Sequence, residues 1–219
     1  MSISSAQQLG LYNEALTLCG ERTLASLTEN REPRRLLDQA WTDGNGGAVQ
    51  FCLEKGYWPW AIRSQQYSYS PSIQPAYGYN YAFNQPTDMV KTASVCIDQY
   101  YNVPLTQYED EGGFWYADLQ NLYIKYVSND PSFGLNYSGW SQTFIEFVAI
   151  YMGNKICWRL TQDEKKTDRI EKMYRKRLAE ARSESAMEQP AKIFPQGAWA
   201  GARFGRFFRG NRGGNGGNY

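Results

Sequence analysis

Apolar side chains at spacings of three and four open the chain. Leu9, Tyr12, Ala15, Leu16 and Cys19 form one helical stripe over Ser4 to Cys19, and Gly20 is placed to stop it. A connector with Leu24 and Leu27 leads to Thr28-Glu29-Asn30, a cap-like start for a second helix with Pro33 in its first turn. That helix carries Leu36, Leu37, Ala40, Trp41, Ala48, Val49, Phe51, Cys52 and Leu53. It is expected to run on through Asp43 to Gly47, where three glycines weaken it and leave open whether it breaks.

From Tyr57 to Trp140 the period changes from near four to two. Tyr67/Tyr69, Tyr77/Tyr79/Tyr81/Phe83 and Leu122/Ile124/Tyr126 alternate with small or polar residues, and Val90 to Ile97 and Phe114 to Asp118 read as further strands. Pro71, Pro75, Gly78, Pro86, Pro104, Gly112-Gly113 and Pro131 cut the segment into short pieces. This stretch holds 20 of the 34 aromatic residues, which suits strands better than helices. Helical spacing returns with Trp140, Phe144, Phe147, Val148, Tyr151, Met152, Ile156 and Leu160, with Gly153 allowing a close neighbour. In a last, highly charged helix Ile170, Met173, Tyr174, Arg177, Leu178 and Ala181 line one face, either a solvated surface or a subunit contact through Met173, Tyr174 and Arg177.

The fold class these patterns predict is α+β: an antiparallel bundle of about four helices with an inserted small β-rich domain and an extended C-terminal arm. The segments are residues 1–62 and 138–188 for the two halves of the bundle, 63–137 for the insert and 189–219 for the arm. Trp58, Trp60 and Trp140 stand where the chain leaves and re-enters the helices, and are expected to pack that junction.

Composition narrows the chemistry. The 219 residues include no histidine, which removes Ser-His and Cys-His nucleophiles and His-containing zinc sites. Cys19, Cys52, Cys96 and Cys157 are far apart in sequence, with no C-x-x-C pair, and are expected as buried free thiols. There is neither a signal-peptide pattern nor an apolar run fit to span a membrane, so folding in a reducing cytoplasm is expected. No metal or cofactor is expected. Glu109-Asp110-Glu111 beside Gly112-Gly113 is the one dense carboxylate cluster. Paired acids such as Glu109 and Glu111 would suit a cell-wall glycoside hydrolase, but adjacent acids in a glycine-bounded loop are more often a solvated turn. No phosphate-binding loop is present.

Charge divides the chain unevenly. The whole carries +1, but Gln189 to Tyr219 hold Lys192, Arg203, Arg206, Arg209 and Arg212 and no acid, which makes the arm +5 and residues 1–188 −4. Among the arm's many glycines sit Ile193, Phe194, Trp199, Phe204, Phe207 and Phe208. Burying them does not offset the cost of ordering the segment, so the arm is expected to order only on a partner. Arginine at every third position among glycine and phenylalanine also suits sequence-tolerant nucleic-acid binding, the main rival reading.

Several stretches together resemble the head-to-tail adaptor proteins of short-tailed bacteriophages, also called tail tubular protein A, tail accessory or head-completion proteins. They are Leu11-Tyr12-Asn13-Glu14-Ala15-Leu16 to Gly20, Ser26-Leu27-Thr28-Glu29, Tyr57-Trp58-Pro59-Trp60-Ala61, Tyr79-x-Tyr81, and Pro86-Thr87-Asp88-Met89-Val90 with Val95. Tyr123-Ile124-Lys125-Tyr126-Val127, Trp140-Ser141-Gln142-Thr143-Phe144, and Tyr174 through Leu178 to Ala181-Arg182 complete the pattern over about residues 9–188. Gln85 stands where the family has leucine, and Gly44 to Gly47 interrupt a helix richer in charge there. The resemblance implies a virion protein of the head-tail junction, assembled in the host cytoplasm as a dodecameric ring beneath the portal protein. Such a ring extends the DNA channel without sequence-specific binding, contacts no membrane, and offers a platform to the tail nozzle or tail-tube protein. It further implies that the bundle builds the ring, the insert faces the tail, and the arm reaches the portal through Ile193, Phe194, Trp199, Arg203, Phe204, Arg206, Phe207, Phe208, Arg209 and Arg212.

Overall fold

A computed structural model describes residues 3–44, 46–75 and 78–188, and these show a mixed helix and sheet fold of the α+β class. Helix α1 (Ser5–Cys19) begins at a capping box in which Ser4 accepts from the Gln7 N–H and Gln7 returns the bond to the Ser4 N–H. Gly20, at φ 74°, ends it and donates back to the carbonyls of Leu16 and Thr17. Its expected stripe is the buried one: Leu11, Tyr12, Ala15, Leu16 and Cys19. Asn13 then pins the following connector, exchanging two hydrogen bonds with the Leu24 backbone at 2.7 and 3.0 Å.

The expected second helix is two helices, α2 (Glu32–Thr42) and α3 (Gly47–Glu54). The start at Thr28 to Asn30 also moves: Arg31 is the cap residue, with no side-chain cap, while the Glu29 carboxylate accepts from the Ala25 N–H instead. The break has a steric cause. Gly46 and Gly47 adopt φ 91° and 76°, and a Cβ at Gly47 would sit 1.9 Å from the Trp41 carbonyl oxygen. The end of α2 therefore closes onto the start of α3, and only glycine fits the crossing point.

After the insert, α4 (Gln142–Thr161) starts at Ser141, whose hydroxyl accepts from the Phe144 N–H, and α5 (Glu164–Met187) starts at Asp163, which accepts from Lys165 and Lys166. Helix α4 is central: it packs against α1, α2, α3 and α5 and buries Phe144, Phe147, Val148, Met152, Ile156 and Cys157. At Gly153 it approaches α1 closely enough that a Cβ would stand 3.4 Å from the Ala15 carbonyl, and the Cys19 thiol donates to the Gly153 carbonyl at 3.6 Å. Helix α5 buries only Ile170, Ala181 and Ser185.

Two antiparallel three-stranded sheets lie between α3 and α4. One has the order β1 (Ile62–Ser68), β6 (Asn121–Ser128), β3 (Met89–Cys96); the other β2 (Tyr81–Asn84), β5 (Phe114–Ala117), β4 (Glu109–Glu111). Alternation along β6 splits the interior. Leu122, Ile124 and Tyr126 join Phe83, Val95 and Trp115 in a core between the sheets, whereas Val127 belongs to the helical core. Glu109 to Glu111, expected in a turn, form edge strand β4, and the turn itself is Gly112-Gly113 at φ 61° and 85°, the backbone of a tight two-residue hairpin. Tyr77 of the expected strand lies outside the described residues, and β2 begins only at Tyr81.

Substitution in the α2–α3 crossing separates strain from contact. Gly47→Ala is expected to cost about 3 kcal/mol or more in urea unfolding, and Gly44→Ala about 1 kcal/mol, since both have positive φ but Gly44 faces open space. Equal losses at the two positions would refute the steric account of the break.

Candidate functional site

Three tryptophans named from the sequence come together where the insert joins the helices. A turn of 3-10 helix at Pro59–Ala61 carries the chain out, a second at Tyr137–Gly139 brings it back, and Phe144 of α4 lies between them. Ring centroids are 4.8 Å apart for Trp58 and Phe144, 4.8 Å for Trp60 and Phe144, and 4.9 Å for Trp140 and Phe144. Trp60 also meets Trp58 at 6.3 Å and Trp140 at 6.1 Å. The contacts to Phe144 are edge-to-face, the arrangement the ring quadrupoles favour. Both buried indole N–H groups are satisfied by backbone carbonyls: Trp58 donates to Leu53 at 3.1 Å and Trp140 to Gly134 at 2.9 Å.

A polar cluster joins the same end of the insert to its strands. Asp88, just before β3, receives Ser128 Oγ at 2.6 Å and pairs with Arg63 Nη1 at 3.1 Å, while the Tyr126 hydroxyl stands 3.4 Å away. The Arg63 guanidinium also lies over the Phe133 ring, 5.5 Å from its centroid. Burial alone would raise the Asp88 pKa, but the Ser128 hydrogen bond and Arg63 outweigh it and hold the carboxyl below its ordinary value. Ser128 is fully buried, so its hydroxyl depends on Asp88 for an acceptor.

On α5 the three residues named as a subunit contact divide. Tyr174 stacks on Phe147 with centroids 5.5 Å apart and reaches Tyr151 at 6.2 Å, so its ring packs against α4 of its own chain. Arg177 bonds Glu146 of α4 at 2.7 Å and Glu180 at 3.1 Å. Nearby on α1, burial and then the negative charge of Glu146 raise the pKa of Glu14, partly relieved by Arg177. Met173 is half-buried like the other two, packed against the helical core on one side and beside the basic side chains of α5 on the other.

Glu109 and Glu111 are both exposed and, two positions apart on one strand, share a face. Asp110 points the other way and accepts from Gln85 Nε2 at 2.6 Å and Thr92 Oγ1 at 2.7 Å. The four cysteines are buried; burial first, then the neighbouring Cys157, pushes the Cys19 thiol up to about 12. Among the described residues no cluster of His, Cys, Asp or Glu is placed to hold a metal ion, and no helix is long and apolar enough to cross a membrane. The arm residues Ile193, Phe194, Trp199, Arg203, Phe204, Arg206, Phe207, Phe208, Arg209 and Arg212 lie outside the described residues. Sequence reasoning missed the centrality of Phe144 and the Asp88–Arg63–Ser128 cluster. Phe144 had a visible signal, following Trp140 by one helical turn, but the cluster joins residues 25 and 40 positions apart.

Against known proteins, the chain matches no family profile and no curated protein.

Two substitutions test these arrangements. Phe144→Ala removes the ring on which all three tryptophans pack and is expected to cost about 3–5 kcal/mol, read by urea unfolding with tryptophan fluorescence; a loss under about 1 kcal/mol would show the cluster to be incidental. For Asp88 the sign follows from its lowered pKa. A carboxyl that binds its proton less tightly when folded stabilises the fold above the ordinary aspartate value of about 4, and that stability is lost as pH falls through the folded-state value. Asp88→Asn should therefore be less stable than the parent at pH 7, with the gap closing below about pH 4. A gap independent of pH would contradict the ion-pair account.

Proposed function

We propose that the chain is a virion structural protein, the head-to-tail adaptor of a short-tailed bacteriophage. In this reading α1, the α2–α3 pair, α4 and α5 serve as the antiparallel bundle that builds a dodecameric ring at the head-tail junction. The β-rich insert offers the platform for the tail nozzle or tail-tube protein. The arm, residues 189–219, docks on the portal through its aromatic side chains and arginines, and packaged DNA passes through the channel without sequence-specific contact. No catalytic step and no cofactor belong to this role.

The observation that carries the reading is the aromatic junction. Trp58 and Trp60 after α3 pack on Trp140 and Phe144 at the start of α4, which supports reading the sheets as an insertion into a helical body. This is the chain organisation the resemblance over about residues 9–188 implies. The arm adds a +5 segment with apolar anchors directly after a helix ending at Met187.

Truncation provides the test. A chain ending at Glu188 should unfold at the same urea midpoint as the full chain yet fail to bind the portal of its own virus in negative-stain images and co-sedimentation. If the truncated chain binds portal as well as the full one, the role given to the arm is wrong. Tight DNA binding by the full chain, weakening steeply with salt and lost with the arm arginines, would instead favour the nucleic-acid reading.

A further inference from the structure

The exposed side of α5 is built as a groove with a cationic rim. Lys165, Arg169, Lys172 and Lys176 recur at spacings of four, three and four, which sets them in one row about 16 Å long. All four are exposed. Within the described residues Lys176 pairs only with Glu180, at 3.7 Å, whereas Lys165, Arg169 and Lys172 make no ion pair within 4.0 Å. Lys166 is accounted for differently. Its Nζ would lie 3.5 Å from a Cβ on Gly20, at the C-terminal end of α1, where the helix dipole favours a cation.

Beside the row runs an apolar floor. One depression of about 300 Å³ between the end of α1 and α5 is lined by Leu18, Ile170 and Met173 with Lys166 and Arg169. A second, of about 500 Å³, is lined by Lys165, Asp168, Arg169, Lys172, Met173 and Lys176. They share Arg169 and Met173, so the groove between α1 and α5 opens onto the shallow cationic face of α5. Its cations sit on a body whose net charge is −4, so they are concentrated against the charge of the rest.

We propose that this groove docks an acidic protein segment carrying an apolar side chain, supplied by a partner of this chain. Carboxylates of the segment pair with Arg169, Lys172 and Lys165, and its apolar side chain covers the half-exposed Leu18 and Met173, above the buried Ile170. The flexible Met173 thioether lets the floor adapt to that side chain. A phosphodiester strand would satisfy the cations but leave the floor wet. The chain's own arm is excluded by sign, since it carries +5 and no acid. The inference does not depend on the adaptor reading, which stands or falls on the arm and the portal.

The test uses the full chain and a labelled synthetic peptide, Glu-Asp-Leu-Glu-Asp-Phe-Glu-Asp, followed by fluorescence anisotropy. Saturable binding is expected, weakened about tenfold or more by R169E/K172E and by replacing the peptide's Leu and Phe with Ala. The arm is identical in parent and variant, so its own attraction for acids cancels. K165Q/K172Q, which adds no like charge to the helix, should weaken binding in the same direction, and a melting curve checks that both variants fold. Unchanged peptide affinity in both variants overturns the proposal. So does a twenty-residue oligothymidylate whose binding depends on the groove while the peptide's does not. Concentration-dependent self-association of the parent, abolished by R169E/K172E, would identify the occupant as a second copy and overturn the foreign partner.

Discussion

The packing of three indole rings on Phe144 holds the chain leaving α3 to the start of α4, beside the strands between them. Helices α3 and α4 are separated in sequence by the whole β-rich segment, so bringing them together closes a long loop, and that closure costs entropy. Rings of this size bury large apolar areas and meet in the edge-to-face geometry their charge distribution favours. Because Trp58 and Trp140 also satisfy their N–H groups on nearby carbonyls, neither ring brings an unpaired donor into the core. The Asp88 cluster then fixes the strands at the same junction, with one carboxylate serving Ser128 and Arg63 together.

From this junction the two interiors diverge along a single strand. Tyr126 and Val127 are neighbours in sequence and belong to different cores, because alternate residues of β6 face opposite sides. A one-residue slip of β6 against β1 would exchange the two sets, placing Leu122 and Ile124 toward the helices and Val127 toward Trp115. Buried side chains on both faces thus specify the register of the central strand.

Much of this was legible in the order of residues. The stripe of α1 with its serine and glycine boundaries, the alternation in β6, and the tryptophans at the two ends of the insert follow from local periodicity and stereochemistry, which sequence carries directly. The break between α2 and α3 was only half legible: the glycines were visible, but the clash with the Trp41 carbonyl depends on how the two helices close on each other. Glu109 to Glu111 misled because their charge suggested a turn, while pairing with β5 makes them a strand. The groove on α5 was the least accessible, since Leu18 and Met173 come from helices at opposite ends of the chain and meet only after α4 has joined them.

The acidic strand β4 has a consequence for how molecules of this chain meet when concentrated. It is the last strand of its sheet, and an open strand end-row offers N–H and C=O groups to any passing chain. Three consecutive carboxylates there make identical rows repel, so crowded molecules are kept from stitching their sheets into fibres.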